Sequence, residues 1–102
     1  RRVLFRSQRV EAALAGYDAI LSPTVPIVAP ELDLLVRDDD AFAAANRSIL
    51  RNTFAINFLD GCSFSMPCQA AGELPVGLMV SSVRGDDARL GSVALAIEAA
   101  LA

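Results

Sequence analysis

With 102 residues the chain has room for one small domain and not for two. Nine basic against twelve acidic side chains give a formal charge of -3 and a pI of about 4.7, which argues against a nucleic-acid surface, where clustered positive charge must offset phosphates. The apolar share of 54% exceeds the roughly 45–50% usual for a soluble domain, so a partner is expected to cover part of it, either the rest of a longer chain or a second copy.

The absences narrow the chemistry further. The sequence has no His, and all nine positive side chains are Arg, so it has no Lys either. Arg stays protonated and is a poor proton acceptor, which leaves a nucleophilic Ser without its ordinary base. Zinc held by His is excluded, and neither a metal site nor a cofactor is expected. No apolar run reaches the 18 or so residues that cross a bilayer, so a membrane role is not expected. The start, Arg1-Arg2-Val3-Leu4-Phe5-Arg6, has charge but no long apolar core and is not a signal peptide; without a Met it reads as the interior of a longer product. Cys62 and Cys68 lack metal-site spacing and read as buried thiols of a reducing, cytoplasmic compartment. The glycosylation pattern Asn46-Arg47-Ser48 carries little weight without evidence of secretion.

In chain order, Val3, Val10, Ala13, Leu14 and Tyr17 recur at helical spacing between arginines and predict a helix over 3–16, stopped by Gly16. Its basic run, Arg1, Arg2, Arg6 and Arg9, reads as a solvated face, with a phosphate or acidic partner as the lesser alternative. Residues 18–22 are short and apolar and predict a strand, whose brevity suggests a buried place in a sheet. Pro23, Pro26 and Pro30 hold an ordered, extended loop over 23–39, too apolar for a free linker. Within it, the stretch from Glu31 to Arg37 is ambiguous.

Asp38-Asp39-Asp40 reads as the acidic approach to a helix over 40–55, since consecutive carboxylates favour unpaired N–H groups and do not converge on a metal. Phe42, Ala45, Ile49, Leu50, Thr53 and Phe54 give that helix an apolar stripe, and it should end before Asp60-Gly61. Strands are predicted over 62–66 and 76–81, with a hairpin-like reversal at Ala70-Ala71-Gly72-Glu73 whose strand direction is open. A last helix over 86–101 places Leu90, Val93, Ala94, Ile97 and Leu101 on one side. Ala and Gly on its far side hint at burial on more than one face. The alternation of helices and strands implies an α/β fold.

Taken in order, Asp18-Ala19-Ile20-Leu21-Ser22-Pro23-Thr24-Val25-Pro26, Ala29-Pro30, the stretch from Asn57 to Pro67 and Leu74-Pro75-Val76-Gly77-Leu78 are the landmarks of the chain. As a set they resemble the C-terminal portion of the amidase signature family, from about Tyr17 to Ala102. The resemblance implies an α/β fold with a mixed β-sheet and helices packed against it, residues 1–102 forming one fragment of a larger amidase domain. It also implies hydrolysis of amide carbon–nitrogen bonds other than peptide bonds. In such enzymes a Ser attacks the carbonyl, a second Ser relays a proton to a Lys, and backbone N–H groups stabilise the oxyanion. Those residues belong to an upstream Lys and a Gly/Ser-rich segment, so no catalytic residue is expected within this chain.

Ser63 and Ser65 share a strand face and read as structural, because nothing here would activate them. The resemblance makes Thr24 and Asn57 the candidates for the cleft or its support: Thr24 lies on a loop bordering the cleft, and Asn57 would hold the strand pair or the nucleophile loop. For Thr24 the plainer alternative is a turn cap, and for Asn57 it is helix termination. Asp60 and Gly61 read as a structural turn, Gly supplying the positive φ and Asp a local hydrogen bond. The Gly-x-Pro-Ala usual in the family after Asn57 is replaced by Asp60-Gly61-Cys62-Ser63, and Met79 stands where many members have Gln. These departures leave the subclass and the amide open among simple amidases, glutamine amidotransferase subunits, malonamidase-like enzymes and allophanate-hydrolase-like enzymes. A tRNA role would need surfaces that this acidic chain does not display. The implied partners are the remainder of the same amidase chain and a small amide substrate, with a homo-oligomer as an option and no nucleic acid. A non-catalytic module that binds a partner through its apolar face is the alternative from another class.

Overall fold

A computed structural model describes residues 2–102. Arg1 and the side chains of Arg2 and Val3, which entered the reading of the first helix, lie outside what is described. Seven elements follow in order: α1 (Arg2–Leu14), β1 (Ile20–Pro23), α2 (Leu32–Arg37), α3 (Asp39–Phe58), β2 (Cys62–Pro67), β3 (Gly77–Ser82) and α4 (Asp87–Leu101). The result is α/β, a three-stranded sheet with helices against it.

The strand order is β1-β3-β2, and both pairings are antiparallel. The mixed sheet expected from the resemblance is not formed by these three strands. For the β2–β3 pair the cause is local: the connection from Pro67 to Gly77 is too short for the crossover that a parallel pair needs. Ile20 sits opposite Ser81 and Pro23 opposite Leu78 on one side, while Cys62 meets Ser82 and Pro67 meets Gly77 on the other.

β1 occupies an edge rather than the buried position its brevity suggested, and Leu21 is 57% exposed. It also runs through Pro23, two residues later than 18–22 at its start and one later at its end. An edge tolerates that proline. Thr24 N–H donates to the Gly77 carbonyl at 2.9 Å, so Thr24 faces β3 and the preceding Pro23 directs its missing donor outward. Pro67 closes β2 in the same way, one residue before Cys68 N–H bonds the Val76 carbonyl at 2.9 Å.

Two-residue alternation splits the sheet into unlike faces. One presents Leu78 and Val80 from β3 with Cys62 and Met66 from β2, and α4 lays Leu90 and Ala94 on them. Val80 and Leu90 are both fully buried. α4 is buried along this single face: Leu95 is exposed, and Gly91 opens a slot for the Phe64 ring, 3.6 Å from where a Cβ would stand.

α3 is the longest helix, at 20 residues, and none of them is buried. The Asp38 carboxylate caps it by accepting from Asp40 N–H at 3.0 Å and Ala41 N–H at 3.1 Å. Within the 23–39 segment, α2 forms where the sequence was ambiguous, and it too has no buried residue. α1 ends near Gly16, whose φ of 90° is the left-handed conformation of a helix stop.

The chain exposes 7434 Å², about 1,900 Å² more than the roughly 5,500 Å² of a folded monomer of this mass. Its radius of gyration is 15.9 Å, against about 13 Å for a compact body of this length. The shape is a slab, 45 × 40 × 17 Å. Phe5, Phe42, Phe54 and Leu32 all stand exposed on it.

Candidate functional site

Where the Pro-rich loop leaves β1 and passes the turn end of the β2–β3 hairpin, it leaves a groove of about 520 Å³. The sequence builds this place from constraints. Pro23 and Pro26 stiffen the path on either side of Thr24, while Asn52 of α3 donates its side-chain amide to the Pro23 carbonyl at 2.8 Å and pins the loop from behind. On the hairpin side, Val76 N–H is taken by the Gln69 side-chain oxygen at 3.2 Å and Ala70 N–H by the Glu73 carboxylate at 3.0 Å. The β2–β3 connection is therefore ordered by its own side chains.

Thr24 and Ser65 meet on the floor. Their hydroxyl oxygens lie 2.5 Å apart, although 41 positions separate them in the chain. Both hydroxyls sit over Gly77, where a Cβ would come 2.7 Å from Thr24 Oγ1 and 2.9 Å from Ser65 Oγ. Glycine is needed there for space, not for φ. The walls are apolar, made by Val25, Ile27, Val28, Pro75 and Val76, and no charged residue among those described lines the groove.

The other candidate residues lie elsewhere. Asn57 is exposed on the last turn of α3, and its carbonyl accepts from Asp60 N–H at 3.1 Å. Among the described residues its side chain makes no hydrogen bond, and it is not one of the residues lining the groove at Thr24. Asp60 and Gly61 form the turn that follows, with their anticipated parts exchanged. Asp60 takes the positive φ, 58°, and Gly61 supplies room, since a Cβ would come 2.7 Å from the Ser82 carbonyl oxygen. Ser63 pairs with Ser81, hydroxyl to hydroxyl, at 2.8 Å on the same sheet face as Ser65. Ser65 and Gly77 are groove residues, and Asn52 a residue that holds the loop from behind, that the sequence alone did not mark as such. Only the strand alternation of Ser63 and Ser65 signalled that one of them would reach this face.

The cysteines part company. Cys62 is half-buried, its thiol 3.4 Å from the Val83 carbonyl, and burial pushes its pKa up, with the Asp87 charge acting in the same direction. Cys68 is exposed, contrary to the expectation that both are buried, because it lies one residue past the strand end. A thiol with a raised pKa holds little thiolate at neutral pH, so Cys62 is not set up as a reactive nucleophile. No group of three or more Cys, Asp or Glu side chains that could hold a metal occurs among the described residues. No helix among them is long and apolar enough to cross a membrane.

With this geometry in hand, comparison with known proteins decides the family. The family model "Amidase" matches residues 1–90. The chain belongs to the amidase family. It is 37% identical over 83 residues to 2-amino-5-chloromuconic acid deaminase of Comamonas testosteroni, a match covering 80% of this chain and 18% of that protein. It is 31% identical over 88 residues to an uncharacterized protein in the nthA 5' region of Rhodococcus erythropolis, covering 86% of this chain and 44% of that one. To a glutamyl-tRNA(Gln) amidotransferase subunit of Streptococcus equi subsp. zooepidemicus it is 38% identical over 92 residues, covering 90% of this chain and 18% of that protein. This amidase chain thus spans between about a fifth and under a half of the length of these curated relatives. No solved structure gives a significant match.

Proposed function

We propose that this amidase chain is the C-terminal part of an amide hydrolase acting on carbon–nitrogen bonds other than peptide bonds, and that it supplies scaffold and one wall of the cleft. The observation that carries the reading is the pairing of family membership over residues 1–90 with a sequence that holds no Lys and no His. A Ser-Ser-Lys relay needs a base, and the chain offers none. The nucleophile, the relaying Ser and the Lys then belong to residues outside it. Thr24 is the wall residue: its hydroxyl is fixed by Ser65 and the β-bridge to Gly77, and it faces the groove. Asn57 contributes through its backbone alone, its carbonyl accepting from Asp60 N–H in the turn that leads from α3 into β2. The amide itself stays open between the chemistries of the relatives, a deaminase and an amidotransferase by name.

The partner this reading requires is the remainder of the same amidase domain. The excess of about 1,900 Å² of accessible surface on this one chain is roughly twice the 800 Å² that each partner gives to a standard interface, the scale of an obligate contact. The exposed stripe of α3 and the groove between α1 and α3, where the Arg6 guanidinium lies 5.8 Å from the Phe58 ring centre, are the faces it would cover. The same surface would serve an independent binding module.

Ammonia release from acetamide and benzamide tests the catalytic claim. The chain alone is expected to show none, whereas a longer polypeptide joining it to an upstream Lys and a Gly-Ser-Ser-Gly-like segment hydrolyses them. Turnover by the 102 residues alone would overturn the reading. Sedimentation and hydrogen exchange separate the two partner readings: a compact, protected monomer favours the module, and extensive exposure or self-association favours a severed sheet.

A further inference from the structure

We propose that the groove over Gly77 is a subsite for a neutral amide with an apolar acyl group, and that the Thr24–Ser65 hydroxyl pair is its polar contact. The proposal rests on the amide-hydrolase reading for the ligand's class, and on the groove itself for the ligand's charge and shape.

Three features of the groove converge on that ligand. Its volume of about 520 Å³ lies within the usual range for small-molecule sites, roughly 300–1,000 Å³. Its walls are mostly Val, Ile and Pro side chains, the one polar wall residue, Gln69, has its oxygen engaged by Val76 N–H, and the lining holds no charge of either sign among the described residues. A carboxylate or ammonium entering it would leave water without meeting a counter-charge, which is costly, whereas a neutral apolar group gains by the same move. The polar feature of the floor is the hydroxyl pair.

The hydrogen-bond capacity of that pair matches a carboxamide. When one hydroxyl donates to the other, one O–H remains free to donate and unshared lone pairs remain to accept. A primary amide presents the complement, a carbonyl acceptor and an N–H donor on one planar group. The pair is held before any ligand arrives, because Thr24 is bridged to Gly77 at 2.9 Å and Ser65 is paired within the β2–β3 ladder. Gly77 makes this possible, since any side chain there would occupy the position of the two hydroxyls.

The test is a titration of the longer polypeptide that joins this chain to its upstream segment, its nucleophilic Ser replaced by Ala and these 102 residues isotopically labelled, followed by backbone amide resonances, with phenylacetamide, its para-carboxylate and ethylbenzene as probes. Phenylacetamide is expected to give saturable shifts confined to Thr24, Ser65, Val76 and Gly77. The carboxylate should bind at least about tenfold more weakly, the factor that a desolvation difference of about 1.4 kcal/mol produces. Thr24→Val, which keeps the shape and removes the hydroxyl, should weaken phenylacetamide several-fold and leave ethylbenzene unchanged. Equal binding of the carboxylate, shifts centred on the α1–α3 groove, or an indifferent T24V variant would each overturn the proposal. So would a chain whose Thr24, Ser65 and Gly77 signals lack the dispersion of an ordered strand pair, because the groove would then not be preformed. Binding is read without turnover, so a failure here leaves the amide-hydrolase reading standing, and an inactive full-length enzyme leaves the binding result standing.

Discussion

α3 and α4 are both apolar-striped helices on one small sheet, yet only α4 has found its place. Leu90 of α4 is fully buried against Val80 and Met66, whereas Phe54 of α3 is 63% exposed and no residue of that helix is buried. The contrast shows that a hydrophobic stripe specifies a need for a partner without saying where the partner is. α4 meets its need inside the chain. α3 carries the same kind of stripe to the surface, which fits a helix that belongs between this sheet and a larger body.

The most forceful way to break the comparison is to truncate both stripes. Leu90→Ala should cost about 2–5 kcal/mol, the usual range for emptying a core position. Phe54→Ala should move the isolated chain by less than about 0.5 kcal/mol, as surface changes do. Urea titrations of the two variants check this. A Phe54 loss as large as that of Leu90 would mean that α3 already has its partner in the free chain.

A smaller effect separates the two tight glycines, Gly61 at the end of α3 and Gly77 at the start of β3. Gly61→Ala would push a methyl group to 2.7 Å from the Ser82 backbone oxygen and 3.0 Å from Ile56, in the turn that delivers α3 into β2. Backbone cannot step aside, so the expected cost is roughly 1–3 kcal/mol. Gly77→Ala meets side-chain hydroxyls instead, and those can rotate away. Its stability loss should be the lesser of the two, while the Thr24–Ser65 contact is lost. Thermal melts rank the pair.

Asp38→Ala comes next, at about 1 kcal/mol for a lost N-cap. It asks how far a helix without tertiary burial leans on its local signals. Loss of helical circular dichroism out of proportion to the stability change would show that the cap, not packing, holds the start of α3.

Signals of this local kind were the legible part. The three aspartates before α3, the glycine after α1, the α4 stripe and the two hairpin strands follow from propensity and period, which act over a few residues. β1 was misplaced because a short apolar run looks the same in the middle of a sheet and at its edge; what decides is the pairing of Ile20 with Ser81, about 60 positions on. Cys68 was read as buried from residue type, but its exposure depends on where β2 stops. The groove was legible only in part. Thr24 could be proposed from its motif, whereas its contact with Ser65 and the room left by Gly77 exist only once the strands register. Asn57 illustrates the converse, a motif residue whose partner is not within reach of it.

The smallest effect concerns how α4 is tied to its sheet, and it is read through pH. Asp86, just before α4, accepts from the Arg89 guanidinium and from the Ser82 hydroxyl, the latter at 2.6 Å. Arg89 in turn donates to the Asp18 carbonyl at 2.7 Å and so links the helix to the approach to β1. The hydrogen bond from Arg89, and after it the one from Ser82, hold the Asp86 carboxyl below its ordinary value of 3.8. A carboxylate whose folded pKa is depressed adds stability above the unfolded value, and that stability is lost as pH falls through the folded one. Wild-type protein should therefore lose stability on acidification below about pH 4, and Asp86→Asn should flatten that part of the profile by being the less stable of the two at neutral pH and converging with wild type in acid. Because the cluster is solvent-exposed, raised salt should shrink the difference between the two proteins. Among the described residues α3 has no corresponding polar tie to the sheet beyond Asn52 at Pro23, which does not titrate. Parallel acid profiles for wild type and Asp86→Asn would mean that α4 owes its place to Leu90 and Ala94 alone.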